Sequence, residues 1–270
     1  MHKAKYVVRG VSLLKSKDIL VKSYAPESQL VEFSVSLRNV PGALAEISNL
    51  LASMGINIYS GFLNFYPGED KGRWAFIVDL KGIGVSAEDL LGRIKGLEHV
   101  LEAEYLQAKF DSLLIDVMHF PLLVMGVRSI LFKVESWGNI TAHLQQRFGT
   151  GGAVILYEMG LKAGEARARE VIAEGFKGSI ALDVILSERV ALGWGVPKLI
   201  EFDENRVEGS LSVQELFECL PFKSSGKDSR SSFFRGYLAG VITQIFNKKV
   251  RVEEVECIGK GDQTCLFKIK

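Results

Sequence analysis

Three cysteines and one glutamate carry the residue types and spacing that suggest metal chemistry in this chain. Cys257 and Cys265 flank Ile258-Gly259-Lys260-Gly261, and a glycine-containing hairpin of that length can bring two sulfurs together. With Glu254 just ahead of Cys257, the set offers two thiolates and a carboxylate, a donor mixture that suits tetrahedral Zn2+. Two reduced cysteines packed in a hairpin would read the same way, because free cysteine is among the most buried side chains. Cys219 is the third cysteine, and an odd count in a chain of 270 residues argues against a secreted disulfide framework. The four histidines, His2, His99, His119 and His143, show no H-x-x-H or H-E-x-x-H spacing, so no histidine-based metal or acid–base site is expected. Gly149-Thr150-Gly151-Gly152 lacks the Gly-Lys-Ser/Thr that completes a phosphate loop. No G-x-G-x-x-G or G-x-S-x-G motif supplies a nicotinamide, flavin or serine-hydrolase signature.

The elements that must position these residues are those of an ordinary globular protein, with 47% apolar and 24% charged residues. The 33 basic and 32 acidic side chains nearly cancel, and they do so in each half, which argues against nucleic acid as a partner. The longest apolar stretch, Phe120 to Val127, contains a proline and a glycine and falls well short of the ~20 residues of a membrane span. The start of the chain is basic without an apolar leader core, so a cytoplasmic location is expected.

Residues 31–37 alternate apolar and polar as a half-buried strand does, and Leu44, Ile47, Leu50, Leu51 and Met54 recur at helical spacing up to Gly55. Ile56-Asn57-Ile58 opens a second strand. The turn Pro67 to Gly72 leads into Trp74, Phe76, Val78 and Leu80, giving a hairpin. A helix through Leu90, Leu91 and Ile94 and a strand at Val100, Ala103 and Tyr105 complete the order βαββαβ of a ferredoxin-like fold.

The segment Asn39-Val40-Pro41-Gly42-Ala43-Leu44, followed by Met54-Gly55-Ile56-Asn57-Ile58, resembles the signature of the ACT domain over residues 30–106. The resemblance implies a homodimer. It also implies an amino-acid ligand enclosed between this loop and the following strand, Asn57 and Ile58, of a neighbouring subunit. Gly42 would let a ligand approach the backbone, and unpaired N–H groups at the helix start suit a carboxylate. Asn39 stands where the family commonly has aspartate, which removes a charge contact to a ligand ammonium; helix entry is its other reading.

Residues 1–29 are read as an N-terminal extension, 107–135 as a linker running into the second domain, and 136–270 as that domain, making the whole chain α+β. Glycines punctuate its helical segments: one through Ile140, Leu144 and Phe148, one from Ala153 to Gly160, one from Ala166 to Gly175. A further helix spans 180–190, and a hairpin turns at Asp203-Glu204-Asn205. The polar stretch 223–232 precedes a helix carrying Phe234, Tyr237, Leu238, Val241, Ile242 and Ile245. Val250, Val252 and 266–269 supply the last strand pair. Gly236 and Gly240 sit one helical turn apart, a spacing that close helix packing explains.

Three motifs, Ala191-Leu192-Gly193-Trp194-Gly195, Phe234 to Gly240, and Glu254 to Cys257 with Gly261 to Phe267, resemble the 4-vinyl reductase domain. That resemblance implies a pocket for an aromatic or hydrocarbon-like ligand, to which Trp194, Phe234 and Tyr237 would contribute. In related phenol sensors three cysteines and a glutamate hold zinc. Glu254, Cys257 and Cys265 match three of those ligands, and the fourth position falls at Ser231, leaving Ser231, Cys219 or water to complete the shell. Cys219 would require the polar loop to fold back. Two ligand-binding modules without a visible chemical apparatus point to a small-molecule-binding regulatory protein. An enzyme or carrier for an aromatic or tetrapyrrole substrate and a ligand-free assembly module are the other readings.

Overall fold

The computed structural model describes residues 16–19, 21–108, 112–223 and 231–270, so His2, the start of the chain and the middle of the polar loop lie outside the described residues. The chain divides into two compact units between Ser129 and Ile130. Both combine helices with antiparallel sheets.

The first unit runs β1 (Lys22–Tyr24), β2 (Leu30–Arg38), α1 (Ala43–Ser53), β3 (Ile58–Asn64), β4 (Lys71–Asp79), α2 (Ala87–Lys95), β5 (Val100–Gln107), β6 (Leu113–Ile115), β7 (Leu123–Val124) and β8 (Val127–Arg128). Its main sheet has the order β3-β4-β2-β5, with Phe33 opposite Phe76 and Val35 opposite Ala103. The period-two pattern of β2 sends Val31, Phe33, Val35 and Leu37 into one core with Ile47 and Leu51 of α1 and Leu90 and Ile94 of α2. Its alternate residues face the other side, where Leu30 and Ile77 meet Leu114 of β6. The stretch read as a linker thus supplies β6 to this unit, where it pairs with β1.

Helix α1 starts at Gly42, which holds φ 96° where a side chain would be strained, and ends before Gly55 at φ 70°, the left-handed cap that the sequence suggests. Ser86 caps α2 by accepting the Asp89 N–H at 3.0 Å.

The second unit comprises α3 (Val134–Phe148), α4 (Thr150–Ala173), α5 (Gly178–Ala191), β9 (Val196–Asp203), β10 (Glu208–Gln214), a 3-10 turn (Leu220–Phe222), α6 (Ser232–Phe246), β11 (Val252–Glu256) and β12 (Cys265–Ile269). Its sheet runs β11-β12-β10-β9. Leu211, Val213, Phe267 and Ile269 of the sheet share a core with Phe234, Leu238, Val241 and Ile242 of α6.

One sequence expectation is corrected here. Ala153–Gly160 and Ala166–Gly175 are not two glycine-ended helices; α4 runs unbroken through Gly160 and Gly164. Those glycines are buried against α6, whose Gly236 and Gly240 answer them from the other side. A Cβ at Gly160 would collide with the Phe233 carbonyl oxygen and sit 2.8 Å from the Tyr237 nitrogen. A Cβ at Gly236 would collide with the Tyr157 carbonyl oxygen and sit 3.0 Å from the Leu161 nitrogen. The glycines set the helix–helix distance instead of ending the helix.

Candidate metal centre and aromatic cluster

Chain geometry after β10 brings together residues far apart in sequence. The segment Leu216–Phe222 turns tightly, Cys219 N–H donating to the Leu216 carbonyl at 3.0 Å and Phe222 N–H to the Cys219 carbonyl at 2.9 Å, which buries the Cys219 sulfur fully. On the neighbouring hairpin, β12 begins at Cys265, and Cys257 follows β11 in a turn held by its N–H donating to Asp262 Oδ2 at 2.8 Å. A register shift between Glu254 and Glu256 breaks the regular pairing of β11 with β12 beside Glu254. One donor atom each from Cys219, Glu254, Cys257 and Cys265 lies within 4.8 Å of all the others.

The residues Glu254, Cys257 and Cys265 singled out from sequence are therefore one cluster, and its fourth member is Cys219, not Ser231. Cys219 reaches the cluster from its place between β10 and the 3-10 turn, so the expected fold-back of the polar loop is unnecessary. Ser231 is buried beside the Glu254 carboxylate without completing a hydrogen bond to it.

The electrostatics of this cluster are those of buried acids crowded together. Burial pushes the Glu254 carboxyl up to about 7, and its Oε2 has no hydrogen-bond partner among the described residues. Hydrogen bonding with Cys257 and Cys265 raises the Cys219 thiol far above its ordinary value, and Cys265 is raised as well. The described cysteines form no disulfide.

Glu218, fully buried next to Cys219, accepts the N–H groups of Phe233 and Phe234 at 2.9 and 2.8 Å and so caps α6. Burial pushes its carboxyl up to about 8 against those two donors, which pull it down. Glu218→Ala would leave two helix N–H groups without an acceptor and is expected to cost about 2 kcal/mol, read as a lower urea midpoint at unchanged slope; Glu218→Gln, which keeps an acceptor oxygen, should cost less.

On the other side of α6, Trp137, Trp194, Phe217, Phe233 and Tyr237 form a connected aromatic cluster. Trp194 lies 4.9 Å from Tyr237 and 5.1 Å from Phe217, and Trp137 lies 5.2 Å from Phe233 between ring centroids. The Arg189 guanidinium sits 4.6 Å above the Trp194 ring and 5.1 Å above that of Tyr237. The Tyr237 hydroxyl and Trp137 Nε1 are buried without a hydrogen-bond partner among the described residues. Burial pushes the Tyr237 hydroxyl up to about 12. Trp194 and Tyr237 from the sequence reading thus meet directly. Phe234 faces the sheet instead, 5.2 Å from Phe267. Trp137, Phe217 and Phe233 escaped the sequence reading because apolar core and ligand lining have the same composition.

In the first unit, Asn39 neither enters α1 nor caps it. Its side-chain amide donates to the carbonyls of Tyr66 and Glu69 at 3.2 and 2.8 Å, clasping the β3–β4 turn. Val40, Pro41 and Gly42 are exposed, Ala43 is buried and Leu44 half-buried. Asn57 is exposed and Ile58 half-buried at the start of β3. Ile58 pairs with Val78, which pairs with Val31 at the start of β2, whereas Asn39 follows the end of β2. The two segments therefore lie at opposite ends of the sheet, and one copy does not bring them together.

Residues 211–270, which contain all four members of the cysteine–glutamate cluster, match the family model of the 4-vinyl reductase (vinyl-4-reductase) domain. A curated relative, an uncharacterized protein of Methanocaldococcus jannaschii, is 32% identical over 81 residues, 26% of this chain. The chain spans 45% of that relative's length. Among solved structures, the phenol-responsive sensory domain of the transcription activator PoxR with phenol is 18% identical with a TM-score of 0.49, covering 54% of this chain and 78% of that one. A vinyl-4-reductase family protein of Methanocaldococcus jannaschii is 22% identical with a TM-score of 0.37, covering 53% and 83%. Among the described residues, no helix is long and apolar enough to cross a membrane.

Proposed function

We propose that this chain is a small-molecule-binding regulatory protein whose second unit takes an aromatic ligand beside a structural zinc site. The observation that carries the reading is the pair of buried, unpartnered donors, the Tyr237 hydroxyl and Trp137 Nε1, set in an aromatic cluster. A buried donor without an acceptor costs about 1–3 kcal/mol, and a ring bearing a hydroxyl or carbonyl would relieve it while stacking on its neighbours. The match of residues 211–270 to the vinyl-4-reductase domain agrees with the aromatic pocket that the sequence resemblance implies.

Zinc fits the cysteine cluster on the chemistry of its donors. Three sulfurs and one carboxylate within 4.8 Å suit a tetrahedral ion, and the unpartnered Glu254 oxygen is a ready ligand. Four protein donors fill the coordination shell, so the ion would tie the β11–β12 hairpin to the turn after β10 and have no open position for substrate. The first unit is read as an ACT-type module that pairs two copies. Because its loop at Asn39–Leu44 and its strand start at Asn57 and Ile58 are apart in one copy, an amino-acid ligand would need the second copy to complete its enclosure. A reducing, cytoplasmic setting suits the cysteines.

The test is a titration of the protein with phenol and substituted phenols, followed by tryptophan emission. Saturable quenching is expected, weakened about tenfold, or about 1.4 kcal/mol, by Tyr237→Phe with the melting temperature kept. Unchanged emission and unchanged melting up to millimolar phenol would remove the reading.

A further inference from the structure

The first unit holds a second cluster of ligand-type side chains that the sequence did not signal. Glu32 and Ser34 alternate with the core residues of β2 and project from the sheet face opposite α1 and α2. Asp116 and His119, just beyond β6, meet them there. His119 Nδ1 lies 2.9 and 3.0 Å from the two Asp116 oxygens and 3.4 Å from Glu32 Oε1. His119 Nε2 lies 3.0 Å from Ser34 Oγ, and the Phe62 ring packs edge-on against the imidazole at 4.8 Å. The Glu32 side chain is 5% exposed, and its Oε2 has no hydrogen-bond partner among the described residues.

Two carboxylates gathered around one imidazole leave the cluster negative whether or not the ring is protonated. A proton on Nδ1 bonds Asp116 at 2.9 Å but leaves Glu32 Oε1 beyond ordinary hydrogen-bond length and Oε2 with nothing. A doubly charged ion meets both acids at once. Donor separations of 2.9–3.4 Å are also those of ligands sharing one first-row cation at bond lengths of ~2.1 Å. An Nε2–H donated to Ser34 Oγ turns the Nδ1 lone pair toward the carboxylates, the outer-shell arrangement that orients a metal-bound histidine. A pocket of about 100 Å³ lined by Ser34, Ser36, Arg73, Glu102, Ala103 and Glu104 adjoins the cluster; its charged lining is net acidic.

Ser34, His119 and Asp116 also stand in the order of a nucleophile, a base and an orienting acid. Ser34 sits at 4% exposure on a strand paired along both edges, so the backbone N–H groups beside it belong to the sheet and none is left for an oxyanion. The geometry points to a cation. We propose that Glu32, Asp116 and His119, oriented by Ser34, bind a divalent ion of the Mn2+ class, a site separate from the cysteine cluster in position and in ligand hardness.

The experiment is a titration of the chelator-stripped full chain with Mn2+, free ion being followed by its electron paramagnetic resonance signal. Mn2+ prefers oxygen and nitrogen donors to thiolates, so a Cys257→Ser protein should bind it unchanged. Uptake of about one Mn2+ per chain is expected, at least tenfold weaker in Glu32→Gln and Asp116→Asn and about tenfold weaker in Ser34→Ala, with circular dichroism unchanged. If the acid variants fail to fold, Ser34→Ala, which touches only the orienting bond, decides the matter. Undiminished uptake in every folded variant overturns the proposal, as does a wild-type protein that takes up no Mn2+ at millimolar concentration.

Discussion

Gly236→Ala is expected to destabilise the second unit by about 3 kcal/mol, lowering its melting temperature by roughly 5–10 °C in a calorimetric scan. The ordinary effect of this substitution inside a helix has the opposite sign, because alanine is the better helix former by about 1 kcal/mol. At Gly236 the added methyl group collides with the Tyr157 carbonyl oxygen and crowds the Leu161 nitrogen, both of them backbone atoms of α4 that cannot rotate aside. Relief requires α4 and α6 to move apart, loosening the packing along a crossing that also includes Gly160, Gly164 and Gly240. Gly92→Ala in α2 supplies the contrast. Nothing lies within 4 Å of its added Cβ, so that substitution should raise the first unit's melting temperature slightly. Equal, small effects at the two positions would mean that the α4–α6 backbones are not in contact.

Cys219→Ser is expected to weaken zinc binding at least 100-fold, about 2.7 kcal/mol, and to bring the melting curve down to that of chelator-treated wild type. Serine keeps the volume but not the thiolate, and a hydroxyl is a poor zinc ligand. Ser231→Ala should leave zinc content at about one per chain, because only Cys219 completes the four-donor group. Metal analysis of both proteins after gel filtration separates the two assignments. Zinc kept by Cys219→Ser and lost by Ser231→Ala would reverse them. An absence of zinc from the wild type, reconstituted under reducing conditions, would remove the metal reading and leave the aromatic-ligand reading to its own test.

Much of the architecture is legible without coordinates wherever a local pattern carries it. The period-two stretch 31–37 becomes β2, the helical spacing from Leu44 to Met54 becomes α1, and the turn at Asp203-Glu204-Asn205 joins β9 to β10. Glu254, Cys257 and Cys265 were recognisable as a set because a hairpin keeps them close in sequence as well as in space. Gly160 misleads for a reason of the same kind. A glycine read locally marks a helix end, whereas here its missing side chain serves a neighbour some seventy residues away, and no local pattern records that neighbour.

The chain's own sequence determined its two sets of elements, the core stripe of each strand and helix, and three of the four cysteine-cluster donors. These depend on periodicity and on turns that span a few residues. Tertiary structure alone decided that Cys219 and not Ser231 joins the cluster, that Asn39 clasps a hairpin instead of opening a helix, and that His119 meets Ser34 across 85 residues of chain. Each of these depends on which surfaces pack together, and burial of apolar area sets that packing without leaving any spacing in the sequence to read.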